Sequence, residues 1–410
     1  MDDHDREETS LSLPELVDSP PVVMSPRPDG VEVVWSVTAP ARGWVEWVPT
    51  TDDPRSQRTV DRRVVDLDRY GFVPQGSRII RVRVDGWQPG TEYLIRTVTE
   101  AARDDRRVES EWKRVRTLDP DASQSSFVVW NDTHQREETL RRLDDASPKA
   151  DLWVWNGDVC NNWNDPDEIA PTILSPGGRD ATDGRPLAFV CGNHDVRGPW
   201  AYRLREVIAT PDDRPYYAVR SGPIAAIFLN TGEDKPDDHP TFEGRPAFEQ
   251  LRRVQADWLA EQIRQPGFAD APYRIVFCHM PLRWLDEPIL TDADYADGEF
   301  DHYCRTGRDL WHDSLVAWGT QLVISGHTHQ SAWFPATEEF PYAQLTGGAP
   351  ASWAATWIEG DADSERLSVI TRRLDGSVLH ETSVPPLTFP VIRLGRAVTS
   401  KDVADALDDE

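Results

Sequence analysis

The chain has 410 residues, more than one average domain and enough to bury a large core, and a 39% hydrophobic content with 17 tryptophans excludes intrinsic disorder. An excess of 71 acidic over 44 basic residues, a net charge of −27, speaks against nucleic acid or an anionic membrane as partner, because both need a basic face. There is no apolar run near the roughly 20 residues of a membrane span, no signal peptide in the acidic start, and no disulfide framework among Cys160, Cys191, Cys278 and Cys304, so a reduced, cytoplasmic protein is expected.

Residues 1–20 are charged and polar and read as a flexible arm. Over residues 21–118, runs with period-two apolar placement follow one another at 31–37, 44–48, 79–85 and 91–98, with turn residues and no helical pattern between them. This predicts an antiparallel β-sandwich. Within it GWQPGTEYLIR (86–96) resembles the fibronectin type III pattern, in which a Pro-Gly turn precedes a Tyr-bearing strand. Beyond a polar linker at 119–126, strands alternate with helical stretches at 135–146, 247–265 and 310–318. The second of these places Phe248, Leu251, Val254, Trp258, Leu259 and Ile263 at three-to-four spacing, the mark of one buried face. Strand, helix, strand in this rhythm predicts an α/β domain over 122–395, closed by further strands between 342 and 384 and followed by a flexible tail at 396–410. Trp130, Trp153 and Trp155 are expected in its sheet core.

Five strand-like runs end in polar loops: FVVWNDTH (127–134), LWVWNGD (152–158), LAFVCGNHD (187–195), IVFCH (275–279) and LVISGHTH (322–329). In α/β sheets ligands gather outside the carboxyl ends of strands, where all five loops fall. Five of the ten histidines (134, 194, 279, 327, 329) lie in them. Asp132 and His134, one residue apart, can reach a single cation. Asp158 follows a glycine that lets the backbone turn and leave the carboxylate free to bridge two ions. Asn193, His279, His327 and His329 add a neutral amide and imidazoles. Two divalent cations against two carboxylates leave the site net positive, which suits a phosphate and opposes the charge of the whole molecule.

These motifs resemble those of the calcineurin-like metallophosphoesterases, whose pattern D-x-H, G-D, G-N-H-D/E, a lone His after a strand and G-H-x-H occurs here in order. The resemblance covers about 125–385. With the preceding sandwich the layout is similar to that of purple acid phosphatases, and QADWL (255–259) resembles the helix before their lone-His strand. The resemblance implies an α/β/β/α sandwich. It also implies that Asp132, His134, Asp158 and His329 hold one divalent ion, and Asp158, Asn193, His279 and His327 a second. Purple acid phosphatases carry Gly-Asp-x-x-Tyr; here Asn161 takes the tyrosine's place, so a tyrosinate ligand and its colour are not expected. Mn, Fe(II) and Zn suit the remaining donors. Two ions about 3.5–4 Å apart would acidify a bridging water for in-line attack on a phosphoester. His194 is then expected over the phosphate, Asp195 to fix its tautomer, and Arg197 to contact the phosphate or leaving group.

Taken singly, each motif has an ordinary structural explanation. Asp132 and Thr133 suit a helix cap, Gly157-Asp158 a turn, and a lone His279 a satisfied core histidine. The acidic stretch 291–301 with His302 and His312 reads as solvated surface, with a lid or specificity loop as the alternative. Together the motifs predict a binuclear metal-dependent phosphoester hydrolase, phosphatase or phosphodiesterase. A catalytically silent scaffold or binding protein on the same fold is the alternative.

Overall fold

A computed structural model describes residues 15–50, 61–63 and 71–388. Among these, two large sheets face each other. One has nine strands in the order Val378–Val384, Leu367–Arg373, Thr356–Ala362, Ser125–Trp130, Leu152–Asn156, Leu187–Val190, Val22–Arg27, Gly30–Ser36 and Ile79–Asp85. The other has six, Tyr217–Ser221, Ile224–Leu229, Tyr273–Cys278, Leu322–Ser325, Ala343–Thr346 and Ala332–Phe334. The central strands of both are parallel and buried on both faces, so they read as continuous apolar runs rather than alternating ones.

Between the sheets lies a core that includes Phe127, Val129, Val154, Phe228, Ile275, Phe277 and Ile324. Phe127 meets Phe277 edge-on with ring centroids 5.4 Å apart. Outside the first sheet, helix Glu137–Ala146 sets Leu140 and Leu143 against Trp130, Trp153 and Trp155, so the expected tryptophan cluster is core. Outside the second, helices Phe248–Gln262 and Arg305–Trp318 bury Leu259, Trp311, Leu315 and Trp318. This is the α/β/β/α arrangement expected from the sequence. Each such fully buried side chain contributes about 1.5–3 kcal/mol. The third helix begins at Arg305, five residues ahead of the expected 310, and includes Gly307, where a Cβ would come within 2.8 Å of the Trp311 ring. It stops at Gly319, in the left-handed region at φ 78°.

The N-terminal strands form a sandwich. Val31, Val33 and Trp35 of one sheet face Val45, Tyr93 and Ile95 of a sheet built on Ala41–Pro49 and Glu92–Ala101. Trp87 stacks on Tyr93 with centroids 4.2 Å apart, and the Tyr93 hydroxyl accepts the Gln88 amide at 2.9 Å, pinning the turn between them. Strand Val22–Arg27 also pairs in parallel with Leu187–Val190, Met24 opposite Leu187. One sheet thus runs unbroken from the sandwich into the α/β layers. Lys113 fastens the junction: its buried Nζ donates to the Pro21 carbonyl and the Asp180 carboxylate at 2.6 Å and to Thr182 Oγ1 at 3.0 Å.

The expected arm at 1–20 is corrected at its end. Leu16 is buried in the sandwich core, and its carbonyl accepts the Thr38 amide at 3.0 Å. Residues 1–14 and the expected tail at 396–410 lie outside the described residues.

Candidate metal centre

All five polar loops meet at one edge of the two facing sheets. Each follows a buried strand, and in three of the five the chain turns by entering the left-handed region at residues other than glycine: Asp132 (φ 55°), His134 (44°), Asp158 (52°), His327 (70°) and His329 (53°). Backbone of this kind costs about 1–3 kcal/mol per residue and persists where surrounding contacts enforce it. Those contacts are visible. The Asp132 amide donates to the Gly157 carbonyl at 3.2 Å and the His134 amide to the Asp158 carbonyl at 2.9 Å. The His327 amide reaches Asp132 Oδ1, also at 2.9 Å. Two glycines make room. A Cβ on Gly157 would lie 2.5 Å from His279 Nδ1, and one on Gly192 would lie 2.2 Å from Asp158 Oδ1.

Two groups of donors result, joined at Asp158. In the first, His134 Nε2 lies 3.2 Å from His329 Nε2 and 3.7 Å from Asp158 Oδ2, and His329 Nε2 lies 3.6 Å from Asp132 Oδ1. In the second, His279 Nε2 lies 3.1 Å from Asp158 Oδ2, and His327 Nδ1 lies 2.9 Å from Asn193 Oδ1. Asp158 Oδ1 accepts the His194 amide at 2.9 Å, which leaves Oδ2 facing both groups. Ligand atoms of Asp132, His134 and His329 lie within 4.8 Å of one another, as do those of Asp158, His279 and His327. The geometry therefore brings together all seven residues expected to ligate metal.

The outward ring nitrogens have partners that set the tautomers. His134 Nδ1 meets Asn161 Oδ1 at 3.0 Å, His279 Nδ1 the Asn156 carbonyl at 2.8 Å, and His327 Nε2 the Asp301 carbonyl at 2.9 Å. The nitrogen left over on each ring faces the cluster, as a lone pair on His134 and His327. His279 Nε2 is buried and has no hydrogen-bond partner of acceptable geometry. It points at a carboxylate oxygen, an arrangement that needs a proton or a cation between the two. These donors fit metal ions.

The electrostatics carry the same signature. Burial pushes His134 and His327 down to about 4, keeping them neutral and able to ligate. Burial, with the nearby Asp158 charge, pushes the Asp132 carboxyl up to about 8. Burial also acts on Asp158, but the charge of His279, 3.1 Å away, outweighs it and holds Asp158 well below the usual carboxylate range. Burial opposes protonation of His279, yet Asp158 and Asp132 together raise it to about 10. The two aspartates diverge because His279 lies nearer Asp158, 3.1 Å away, than Asp132, at 3.8 Å. The cluster attracts positive charge strongly.

Two expected roles are corrected. Asp195 does not touch the His194 ring. Its buried carboxylate accepts the amides of Asp158 and Val159 at 2.9 Å and of Gly192 at 2.8 Å, tying two ligand loops together. The His194 tautomer is instead set by the Asn161 carbonyl, 2.7 Å from Nδ1. Arg197 is not free for a phosphate. Its guanidinium is bidentate on Glu233 at 2.8–3.0 Å and reaches Asp234 at 2.6 Å, with only a 3.4 Å approach to His194 Nε2. The acidic stretch 291–301 is not merely solvated surface, since its last residue supplies the Asp301 carbonyl that holds His327.

Sequence reasoning gave no role to Asn156 of the LWVWNGD run, to Asp234, or to Asp301 at the end of the acidic stretch, yet each positions a candidate ligand. Gln255, within QADWL, is a nearer miss. It is buried and clamps both backbone groups of Asn230 at 2.8 Å, and a glutamine facing inward on an apolar helix face is a readable signal. Cys278 packs between Met280 and Ser325 and Cys160 beneath Asp195, and all four cysteines are free thiols.

Comparison with known proteins agrees with this geometry. Residues 125–331, half of the chain, match the model of the calcineurin-like phosphoesterase family. The serine/threonine-protein phosphatases CPPED1 of Homo sapiens and Pongo abelii are 25% identical over 203 residues, covering 48% of this chain and 59% of theirs. The match thus spans about three fifths of the length of these curated relatives. In fold, the chain is similar to purple acid phosphatase PPD1 of yellow lupin (Lupinus luteus), with a TM-score of 0.65, 13% identity and coverage of 89% of this chain and 74% of that one. The chain belongs to the calcineurin-like phosphoesterase family.

Proposed function

We propose that the chain is a phosphoester hydrolase working with two divalent ions. Asp132, His134, Asp158 and His329 hold one, and Asp158, Asn193, His279 and His327 the other. The observation that carries this reading is Asp158 Oδ2, which faces His134 Nε2 on one side and His279 Nε2 on the other. Donors of nitrogen and oxygen without thiolate suit Mn, Fe(II) or Zn. When bound, such ions supply Lewis acidity toward phosphoryl oxygens and lower the pKa of water.

The chain's own residues do the rest. Loaded with two divalent ions against the charges of Asp132 and Asp158, the cluster would be net positive and would favour a phosphate in an otherwise acidic molecule. His194 lies beside the first group, its ring centroid 4.9 Å from that of His134. Because its Nδ1 donates to the Asn161 carbonyl, Nε2 is the atom that meets a phosphoryl or leaving oxygen, and it passes a proton there when the ring is an imidazolium. Asp195 acts as a positioning residue, holding the Asp158 and Asn193 loops at a fixed separation. Asn161 leaves this site without a tyrosinate ligand at that position, so the metal-loaded protein is colourless in the visible charge-transfer range. Residues 21–118 are a fibronectin type III-like unit, supported by the Tyr93–Gln88 turn bond.

The test is hydrolysis of p-nitrophenyl phosphate and bis(p-nitrophenyl) phosphate by Mn-loaded protein beside Asp158→Asn. Metal-dependent turnover that the substitution abolishes supports the reading. No metal-dependent turnover of either ester refutes it.

A further inference from the structure

Next to Arg197 a cavity of about 460 Å³ opens between that residue, Tyr202, Phe242, Phe248, Asn162 and Asn164. None of the residues expected to ligate metal lines it, yet it is walled by the loops that carry the cluster. Asn162 directly follows Asn161, whose backbone and side-chain oxygens hold His194 and His134. Val196 and Arg197 directly follow Asp195, and Arg197 approaches His194 Nε2 at 3.4 Å. The far wall comes from the segment just ahead of helix Phe248–Gln262.

We propose that this cavity is the subsite for the alcohol half of the substrate, and that it takes a flat aromatic leaving group. The assignment rests on the phosphoester hydrolase reading and deepens it. Three features support it. The walls are ring-bearing and rigid: Tyr202, Phe242 and Phe248, with Pro199 and Pro246. Aromatic faces bind a flat ring more strongly than an aliphatic chain of equal area. Tyr202 is 59% exposed, so its ring can be reached from solvent at the cavity. Among the described residues, the side-chain amides of Asn162 and Asn164 have no hydrogen-bond partner, so they remain able to pair with polar atoms at a ring's edge. The volume lies within the range of small-molecule sites, about 300–1,000 Å³, and exceeds what a phosphate bearing a methyl group would fill.

Arg197 has a place in this scheme that does not require it to touch phosphate. Its hydrogen bonds to Glu233 and Asp234 hold it in place between the cluster and the cavity. A phosphoryl group then sits on the His194 side and a ring on the other.

The test uses binding, so that it does not depend on turnover. Affinities of Mn-loaded full-length protein for phenylphosphonate and methylphosphonate, neither hydrolysable at its C–P bond, are measured by calorimetry for wild type, Tyr202→Ala and Thr241→Trp. The two substitutions are at exposed positions, one removing a wall and one filling the space. The expected result is a phenyl-to-methyl affinity ratio of at least tenfold in wild type that falls at least fivefold in both variants. No phenyl preference in wild type, or a ratio that stays within twofold in both variants, overturns the subsite. Turnover of phenyl phosphate by the same wild-type sample is read in parallel. Its absence alongside a retained phenyl preference contradicts the hydrolase reading and leaves the subsite standing.

Discussion

The Asp234 carboxylate accepts a hydrogen bond from the Asn193 side-chain amide at 3.1 Å and thereby decides which end of that amide faces His327. With Nδ2 held by Asp234, Oδ1 is turned toward the cluster, 2.9 Å from His327 Nδ1. Asp234 is itself kept ionised. Burial opposes this, but the charges of Arg197 and Lys235 hold its carboxyl below the usual range. Replacing Asp234 by Ala lets the Asn193 amide turn over. The second ion should bind about 10–100-fold more weakly, as is typical when a group orienting a ligand is lost. Metal content after dialysis at graded free Mn will show this as loss of the weaker ion first.

Gly192 is needed for space rather than for a left-handed turn. A Cβ there would lie 2.2 Å from Asp158 Oδ1 and 2.4 Å from the Asp158 amide. Gly192→Ala must therefore push Asp158 out of its bridging position. The expected outcome is loss of metal-dependent turnover by at least about 100-fold, consistent with a misplacement on the order of 1 Å. The circular dichroism spectrum should stay that of the folded protein.

Glu233 and Asp234 share Arg197, but only Asp234 also has Lys235, 2.8 Å away. Burial accordingly wins at Glu233 and pushes its carboxyl up to about 7, while Arg197 stays charged between the two acids. A raised carboxyl means the folded chain binds the proton more tightly than the unfolded one. The stability linked to that proton is present below the unfolded value near 4.5 and is lost as pH rises through about 7. Glu233→Gln should flatten the difference in urea midpoint between pH 5 and pH 7.5, equivalent to roughly 2–3 kcal/mol. An unchanged difference would show that Glu233 does not titrate in this window.

The unbroken sheet through Met24 and Leu187 implies that the sandwich and the α/β layers unfold together. Lys113→Met removes the buried ammonium that joins Pro21, Asp180 and Thr182. The cost should be about 3 kcal/mol, the low end for breaking a buried pair, because Asp180 keeps 31% of its side chain exposed. Calorimetry should show one transition in both proteins, lower in temperature for the variant.

The convergence of the five loops was legible because each follows an apolar strand and carries its own glycine, aspartate or histidine at short spacing. What lay outside the motifs was set by contacts distant in the chain. Asp195 adjoins His194, but adjacency does not give direction, and its carboxylate turned inward to the amides of Asp158, Val159 and Gly192. Arg197 looked free because Glu233 and Asp234 lie in a different loop. The pairing of Met24 with Leu187 had no local trace, since a strand buried on both faces reads the same in a separate sandwich as in a shared sheet. Asp301 acts through its carbonyl, which no side-chain pattern records.

The central claim is that Asp158 joins two cation sites, and counting metal per chain tests it most directly. Protein equilibrated with Mn and then freed of unbound ion should carry two equivalents, and Asp158→Asn at most one. Fewer than one equivalent in the wild type, or two equivalents surviving in Asp158→Asn, would contradict it.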